Sequence, residues 1–215
     1  ILEEKQMKNS TKSAFILIDM EQGFIDPASA HCIKGAAATV PACETAIQTA
    51  RRKGIPVFFV KRIYREDGSD VECTRYQSWV AGGRSIAPGS YGAEEPEGLR
   101  PQEGDYTIIK PRWSAFFQTE LDLILRRMDI RTVILAGTTT PNCIRTTCYD
   151  ANALDYNVVV LSDCTSSQTE EIQQANLSDM ERMGALIINS QEFEHYEKHS
   201  VLDLAAGIRA DMEKR

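Results

Sequence analysis

Thr132-Val133-Ile134-Leu135-Ala136-Gly137-Thr138-Thr139-Thr140-Pro141-Asn142-Cys143 is an apolar run that ends at a glycine and passes through polar residues to a cysteine. Its first five residues do not alternate in polarity, as in a strand buried on both faces. From Ile144 to Leu154 the pattern predicts a helix. Cys143 is thereby placed at a strand-to-helix junction, within the first helical turn. Unpaired N–H groups and the positive end of the helix dipole favour a thiolate there. This is where a nucleophilic cysteine belongs.

The same grammar extends in both directions. Ala14-Phe15-Ile16-Leu17-Ile18-Asp19 and Pro56-Val57-Phe58-Phe59-Val60-Lys61 read as strands one and two, with a helix from Val40 to Lys53 between them. Tyr106 to Lys110 is strand three, Thr132 to Ala136 strand four, Val158 to Asp163 strand five and Ala185 to Asn189 strand six. Helices are expected over Gln118–Met128, Thr169–Met183 and Val201–Lys214. Strands alternating with helices imply a parallel sheet. The predicted fold is α/β: a three-layer α/β/α, Rossmann-like arrangement around a mostly parallel six-stranded sheet. The polar stretch from Tyr64 to Gly104 is too long for an ordinary connection, so short helices and a site wall are expected there. Residues 1–13 are read as a lead-in and residues 14–215 as one domain.

Composition narrows the function. The chain has 215 residues, a net charge of -7 and a pI of about 5.1. The acidic balance argues against nucleic acid or an anionic membrane as partner. No apolar run reaches the length of a membrane span, and the charged N-terminal stretch carries no signal core. The six cysteines form no Cys-x-x-Cys pair, which predicts a reduced, cytoplasmic setting. Cys143 and Cys148 lie five apart on one helix, roughly 8 Å between Cα atoms, beyond disulfide reach. Cys43, Cys148 and Cys164 are read as small packed hydrophobes.

Ligands of parallel sheets bind beyond the C-terminal ends of the strands. Asp19 ends strand one, Lys110 ends strand three, and Cys143 follows strand four. A cysteine nucleophile usually takes a histidine base, but only His31, His195 and His199 are available. His195 and His199 fall in a polar C-terminal stretch. His31, in the loop after strand one, is a minor candidate for substrate contact. Asp19 and Lys110 are the alternative: the ammonium favours the thiolate, and the carboxylate moves protons.

These residues carry a resemblance. The chain resembles the isochorismatase-like cysteine hydrolases, which have a strand-end Asp, a strand-end Lys and a Gly-x-x-Thr-x-x-Cys loop. The matching blocks are Leu17-Ile18-Asp19-Met20, Ile109-Lys110-Pro111-Arg112 and Gly137 to Ile144. The resemblance implies a catalytic triad of Asp19, Lys110 and Cys143. It also implies a cis peptide between Thr138 and Thr139, and an oxyanion hole from the Thr139 and Cys143 N–H groups. Thr140 is expected to cap the helix, with Pro141 at its first position. A homodimer or homotetramer is expected, acting on a small molecule.

The departures narrow the chemistry. Related nicotinamidases carry an Asp-x-His metal pattern after the second strand. Here Lys61-Arg62-Ile63-Tyr64 stands in its place, so no metal and no cofactor is expected. Members acting on isochorismate itself lack the cysteine, so Cys143 points away from that reaction. For the substrate pocket the candidates are Phe24, Trp79, Arg112, Trp113 and Phe116, each of which has a core or structural role as its alternative. Arg62, Arg84 and Arg145 are further candidates for holding a carboxylate. The expected activity is cleavage of a C–N bond in a small amide or ureido compound through a thioester. A thiol redox sensor or peroxidase, and a non-catalytic binding protein on the same fold, are the alternatives.

Overall fold

The computed structural model describes residues 12–197, 201 and 203–214. Six strands form one sheet in the order β3-β2-β1-β4-β5-β6, and every neighbouring pair is parallel. They are β1 (Ser13–Ile18), β2 (Val57–Lys61), β3 (Tyr106–Ile109), β4 (Thr132–Thr138), β5 (Asn157–Ser166) and β6 (Leu186–Ile188). The helices are α1 (Gln22–Ile25), α2 (Ala36–Arg52), α3 (Tyr76–Ala81), α4 (Leu121–Arg127), α5 (Arg145–Ala153), α6 (Glu170–Arg182), α7 (Ser190–Glu194) and α8 (Leu204–Met212).

The unbroken apolar runs are explained by two cores, one on each face of the sheet. Ala14, Ile16 and Ile18 of β1 point into a cluster with Leu121 and Leu125 of α4, Cys148 and Ala151 of α5, and Leu177 and Met180 of α6. Phe15 and Leu17 point the other way, onto Cys43, Ala46, Ile47 and Ala50 of α2 and Phe193 of α7. Successive strand residues face opposite sides, so a central strand covered on both must be apolar throughout.

Several element boundaries differ from the sequence pattern. α2 begins at Ala36, four residues before Val40, and runs through Pro41. α4 is shorter than its apolar period because Gln118 takes a positive φ of 53° ahead of it. α6 starts one residue later than expected because Thr169 caps it, accepting from the Ile172 N–H. α8 is confined to Leu204–Met212, capped by Asp203; the expected start at Val201 runs through position 202, outside the described residues. The long polar stretch after β2 does contain a short helix, α3, and two 3₁₀ turns, Tyr91–Ala93 and Glu97–Leu99.

The strand order reverses between β1 and β4, the switch point where such sheets open a crevice. Gly137 makes this junction possible. It sits opposite Ile18 with φ +113°, and a Cβ there would lie 2.0 Å from the Ile18 carbonyl oxygen. Gly137→Ala therefore both clashes with backbone and strains φ. It is expected to destabilise the fold by about 3–5 kcal/mol. A urea denaturation midpoint close to that of the unsubstituted protein would contradict this.

Candidate active site

Three strand ends meet at the switch point. Asp19 follows β1 in the left-handed region, φ 50°, with its N–H donated to the Val60 carbonyl. Lys110 follows β3, its N–H donated to the Lys61 carbonyl. Both side chains are buried, and Lys110 Nζ lies 2.8 Å from Asp19 Oδ2. The same ammonium reaches the Arg112 carbonyl at 2.9 Å and Cys143 Sγ at 3.6 Å. Asp19, Lys110 and Cys143 are thus in one buried cluster. Asp19 Oδ1 is also buried and has no hydrogen-bond partner among the described residues, so it is an open proton acceptor.

The loop that carries the cysteine is pinned to β5. The Thr139 and Thr140 hydroxyls both donate to the Ser166 carbonyl, and Ser166 Oγ donates to Thr138 Oγ1. The Thr138–Thr139 peptide bond is cis. Thr140 to Ile144 then form a π-helical turn, with the Ile144 N–H donated to the Thr139 carbonyl, leading directly into α5. Thr139, not Thr140, stands at the cap position; the Thr140 hydroxyl is committed to β5 instead. Single π turns inside helices occur often at functional sites.

A cavity of about 220 Å³ opens over the sulfur, lined by Asp19, Phe24, His31, Arg75, Thr139 and Cys143 among others. Phe24 is the one aromatic pocket candidate on this lining. Trp79 is buried beneath it, donating Nε1–H to the Ser85 carbonyl and packing against Tyr64. Trp113 packs on the core under the Arg75 guanidinium. Phe116 stacks on Tyr156, and Arg112 donates to the Asp70 and Pro111 carbonyls. Arg84 covers Trp79, and Arg145 donates to Asn176. None of these six lines the cavity. Arg75 and His31 do, and sequence pattern marked Arg75 not at all. His195 follows α7, away from this lining, and His199 lies outside the described residues.

Beneath the sulfur lies a second buried group. Arg62, fully buried at the end of β2, places Nη2 4.0 Å from Cys143 Sγ. Its Nη1 pairs with Glu72 and donates to the Tyr64 hydroxyl at 3.2 Å, and its backbone N–H donates to Glu21 Oε1 at 2.7 Å. Burial pushes Glu21 well above the usual carboxylate range, and the charge of Asp19 pushes it further. Burial also works against an ionised Glu72, but the Arg62 guanidinium and the Tyr64 hydroxyl, with smaller help from the backbone and Arg75, together outweigh it and hold that carboxyl below its ordinary value.

These charges bear on the thiol. Burial and the charge of Asp19 push Glu21 toward its neutral form. A thiolate would add a further buried negative charge beside Asp19, which a low-dielectric interior disfavours. Burial, and then the charge of Asp19, push the Cys143 thiol up to about 11, against the pull of Lys110 and Arg62. The helix start by itself favours a thiolate; burial and the neighbouring carboxylate act in the opposite direction. Transfer of the thiol proton to Asp19 would leave the net charge of the cluster unchanged.

Among the described residues no group of three His, Cys, Asp or Glu side chains is placed to hold a metal ion. The segment after β2 does not fit one, since it presents Lys61 and the buried cation Arg62. All six cysteines are free. No helix among the described residues is long and apolar enough to cross a membrane.

A family model described as Isochorismatase domain matches residues 13–192. The chain belongs to the isochorismatase family. Within that family it is 41% identical over 177 residues to a protein of Arabidopsis thaliana named "Probable inactive nicotinamidase", covering 80% of this chain and 89% of the relative. It is 30% identical over 223 residues to the ureidoacrylate amidohydrolase RutB of Klebsiella pneumoniae, covering 95% and 92%. A crystal structure of an isochorismatase family protein from Desulfovibrio vulgaris superposes with a TM-score of 0.83 at 39% identity, covering 86% of this chain and 97% of that one. The α/β fold of this family member is the one its apolar runs predicted.

Proposed function

We propose that this protein is a cysteine-dependent hydrolase that cleaves a C–N bond in a small amide or ureido compound. The observation that carries the reading is the buried contact of Lys110 with both Asp19 and Cys143 at the floor of a cavity. The name of the Klebsiella relative, an amidohydrolase acting on ureidoacrylate, supports the same class.

The chemistry follows from the groups present. Asp19 takes the Sγ proton as sulfur attacks the substrate carbonyl; a C–S bond forms and the carbonyl electron pair moves to oxygen. The Thr139 and Cys143 N–H groups stabilise that oxyanion, a contribution of about 3 kcal/mol per donor in comparable sites. The pair returns, the C–N bond breaks, and Asp19 gives its proton to the departing nitrogen, which leaves as ammonia. Water then attacks the acyl carbon while Asp19 takes its proton. The C–S bond breaks, the acid departs and sulfur regains a proton.

The peroxidase alternative needs a resolving thiol. Cys148 is packed in the core and pushed up to about 12 by burial, which makes it a poor partner.

The test is intact-protein mass spectrometry after rapid mixing with a maleamate, an N-carbamoyl amino acid and a ureidoacrylate. The expected result is a transient adduct on Cys143 weighing one substrate less one ammonia. Ammonia release with no such adduct would sink the covalent reading; no release and no adduct across all three would sink the hydrolase reading for these substrate classes.

A further inference from the structure

The reaction above leaves a buried charged group beside the nucleophile without a role. Arg62 is fully enclosed, yet one carboxylate and one phenol take only part of its donor fork. Its Nε has no hydrogen-bond partner among the described residues, and Nη2 ends 4.0 Å from Cys143 Sγ. A guanidinium cannot lose its proton in a protein, so wherever it is buried it imposes a full positive charge on its neighbours. Here the nearest reacting atom is the sulfur.

The groups facing that sulfur come from every strand end around it. Asp19 and Glu21 follow β1, Arg62 and Tyr64 follow β2, and Lys110 follows β3. Glu72 reaches Arg62 from the stretch before α3, and His31 and Arg75 line the cavity above. Lys110 already divides its charge between Asp19 and the sulfur. When Asp19 is protonated and sulfur is anionic, Lys110 is left with the thiolate alone on that side. Arg62 is the remaining cation within reach, and Glu72 is what offsets it.

We propose that Arg62 is a second cation for the Cys143 sulfur and that Glu72 sets how much of its charge the sulfur feels. This rests on Cys143 being the nucleophile. It makes a distinctive demand, because the two members of one ion pair must act on the thiol in opposite directions. Removing Arg62 withdraws support from the thiolate. Removing the charge of Glu72 while keeping its shape, as in Glu72→Gln, releases the guanidinium toward the sulfur. A pair that served only to hold the loop would, when broken from either side, disturb the site in the same direction.

The experiment is alkylation of Cys143 by iodoacetamide in the full chain, followed at the peptide level because five other cysteines are present. Rates are measured from about pH 7 to 10, where they follow the thiolate fraction. Wild-type, Arg62→Met, Arg62→Lys and Glu72→Gln proteins are compared after circular dichroism has established that each is folded. Arg62→Met is expected to slow alkylation about tenfold at each pH, the change that one pH unit of thiol titration gives. Arg62→Lys is expected to fall between it and wild type, and Glu72→Gln to speed alkylation severalfold. A folded Arg62→Met protein with unchanged rates overturns the proposal, as does a Glu72→Gln protein that slows in step with it. Should Arg62→Met not fold, Glu72→Gln decides alone: faster alkylation supports the proposal, and unchanged or slower alkylation overturns it. Because the readout needs no substrate, the two readings fail separately. Unshifted rates with normal acyl-adduct formation remove only the role of Arg62. Shifted rates with no adduct from any amide or ureide remove the hydrolase reading.

Discussion

Cys143→Ala protein is expected to release ammonia from any substrate of the unsubstituted enzyme at least ~10⁴-fold more slowly, with no acyl adduct formed. The loss is this large because Asp19 and Lys110 have nothing to act on once the sulfur is gone. Their proton transfer and charge support belong to one unit. The substitution is expected to leave the fold almost intact. Burial pushes the thiol toward its neutral form, so its removal is expected to leave the Lys110–Asp19 and Arg62–Glu72 pairs in place. Only a sulfur's worth of packing is lost, about 1 kcal/mol. Steady-state ammonia release together with a thermal melt checks both halves. Undiminished ammonia release would end the mechanism, and a melting point lowered by much more than a few degrees would end the account of a neutral resting cluster.

Lys110→Met is expected to fail on both counts. Activity falls about 10³-fold, because the thiolate loses its nearest cation and Asp19 its orienting partner. Stability falls as well, and that separates this variant from the first. Lys110 is fully buried and closes an ion pair at 2.8 Å, so its removal leaves the Asp19 carboxylate enclosed and uncompensated. Breaking a buried pair from one side costs about 3–5 kcal/mol, or roughly 10 °C in melting temperature for a domain of this size. Thermal melts of the variant beside the unsubstituted protein check this; a melting point lowered by no more than a degree or two would show the buried pair to contribute little.

What could be read from the chain and what could not divide along physical lines. The strands were legible because a strand covered on both faces has no polar position to confuse the pattern, as in β1 and β4. The convergence of Asp19, Lys110 and Cys143 was legible because the first two directly follow strands, the third follows the short loop after β4, and the ends of parallel strands converge. Helix starts were not, since α2 depends on Gly35 meeting the Ser167 backbone and α6 on a cap by Thr169. The aromatic candidates misled for a simple reason. Trp79, Trp113 and Phe116 have more apolar surface to hide than a small polar cavity can cover, and they went to the core or its margin. The charged residues were missed in another way. Glu21 and Glu72 carried no mark in the pattern and Arg62 was read only as a candidate for holding a carboxylate, and nothing local in them announces that the three meet in the interior. The surroundings of the thiol were equally hidden: a helix start argues for the thiolate locally, while enclosure and a neighbouring carboxylate push the other way.

The way the site is assembled bears on when the protein becomes active. Asp19 and Lys110 are 91 residues apart in the chain, and Cys143 is a further 33 beyond Lys110. No stretch ending before Cys143 holds the sulfur, and none beginning after Asp19 holds the carboxylate. Bringing the three together requires closing long loops, the slow part of forming a parallel sheet. A growing polypeptide or a fragment that lacks one of the three therefore lacks the cluster, however well its local helices form. The cluster is complete only once the central strands have docked, so under the proposed function the return of turnover after dilution from denaturant is expected to track that docking.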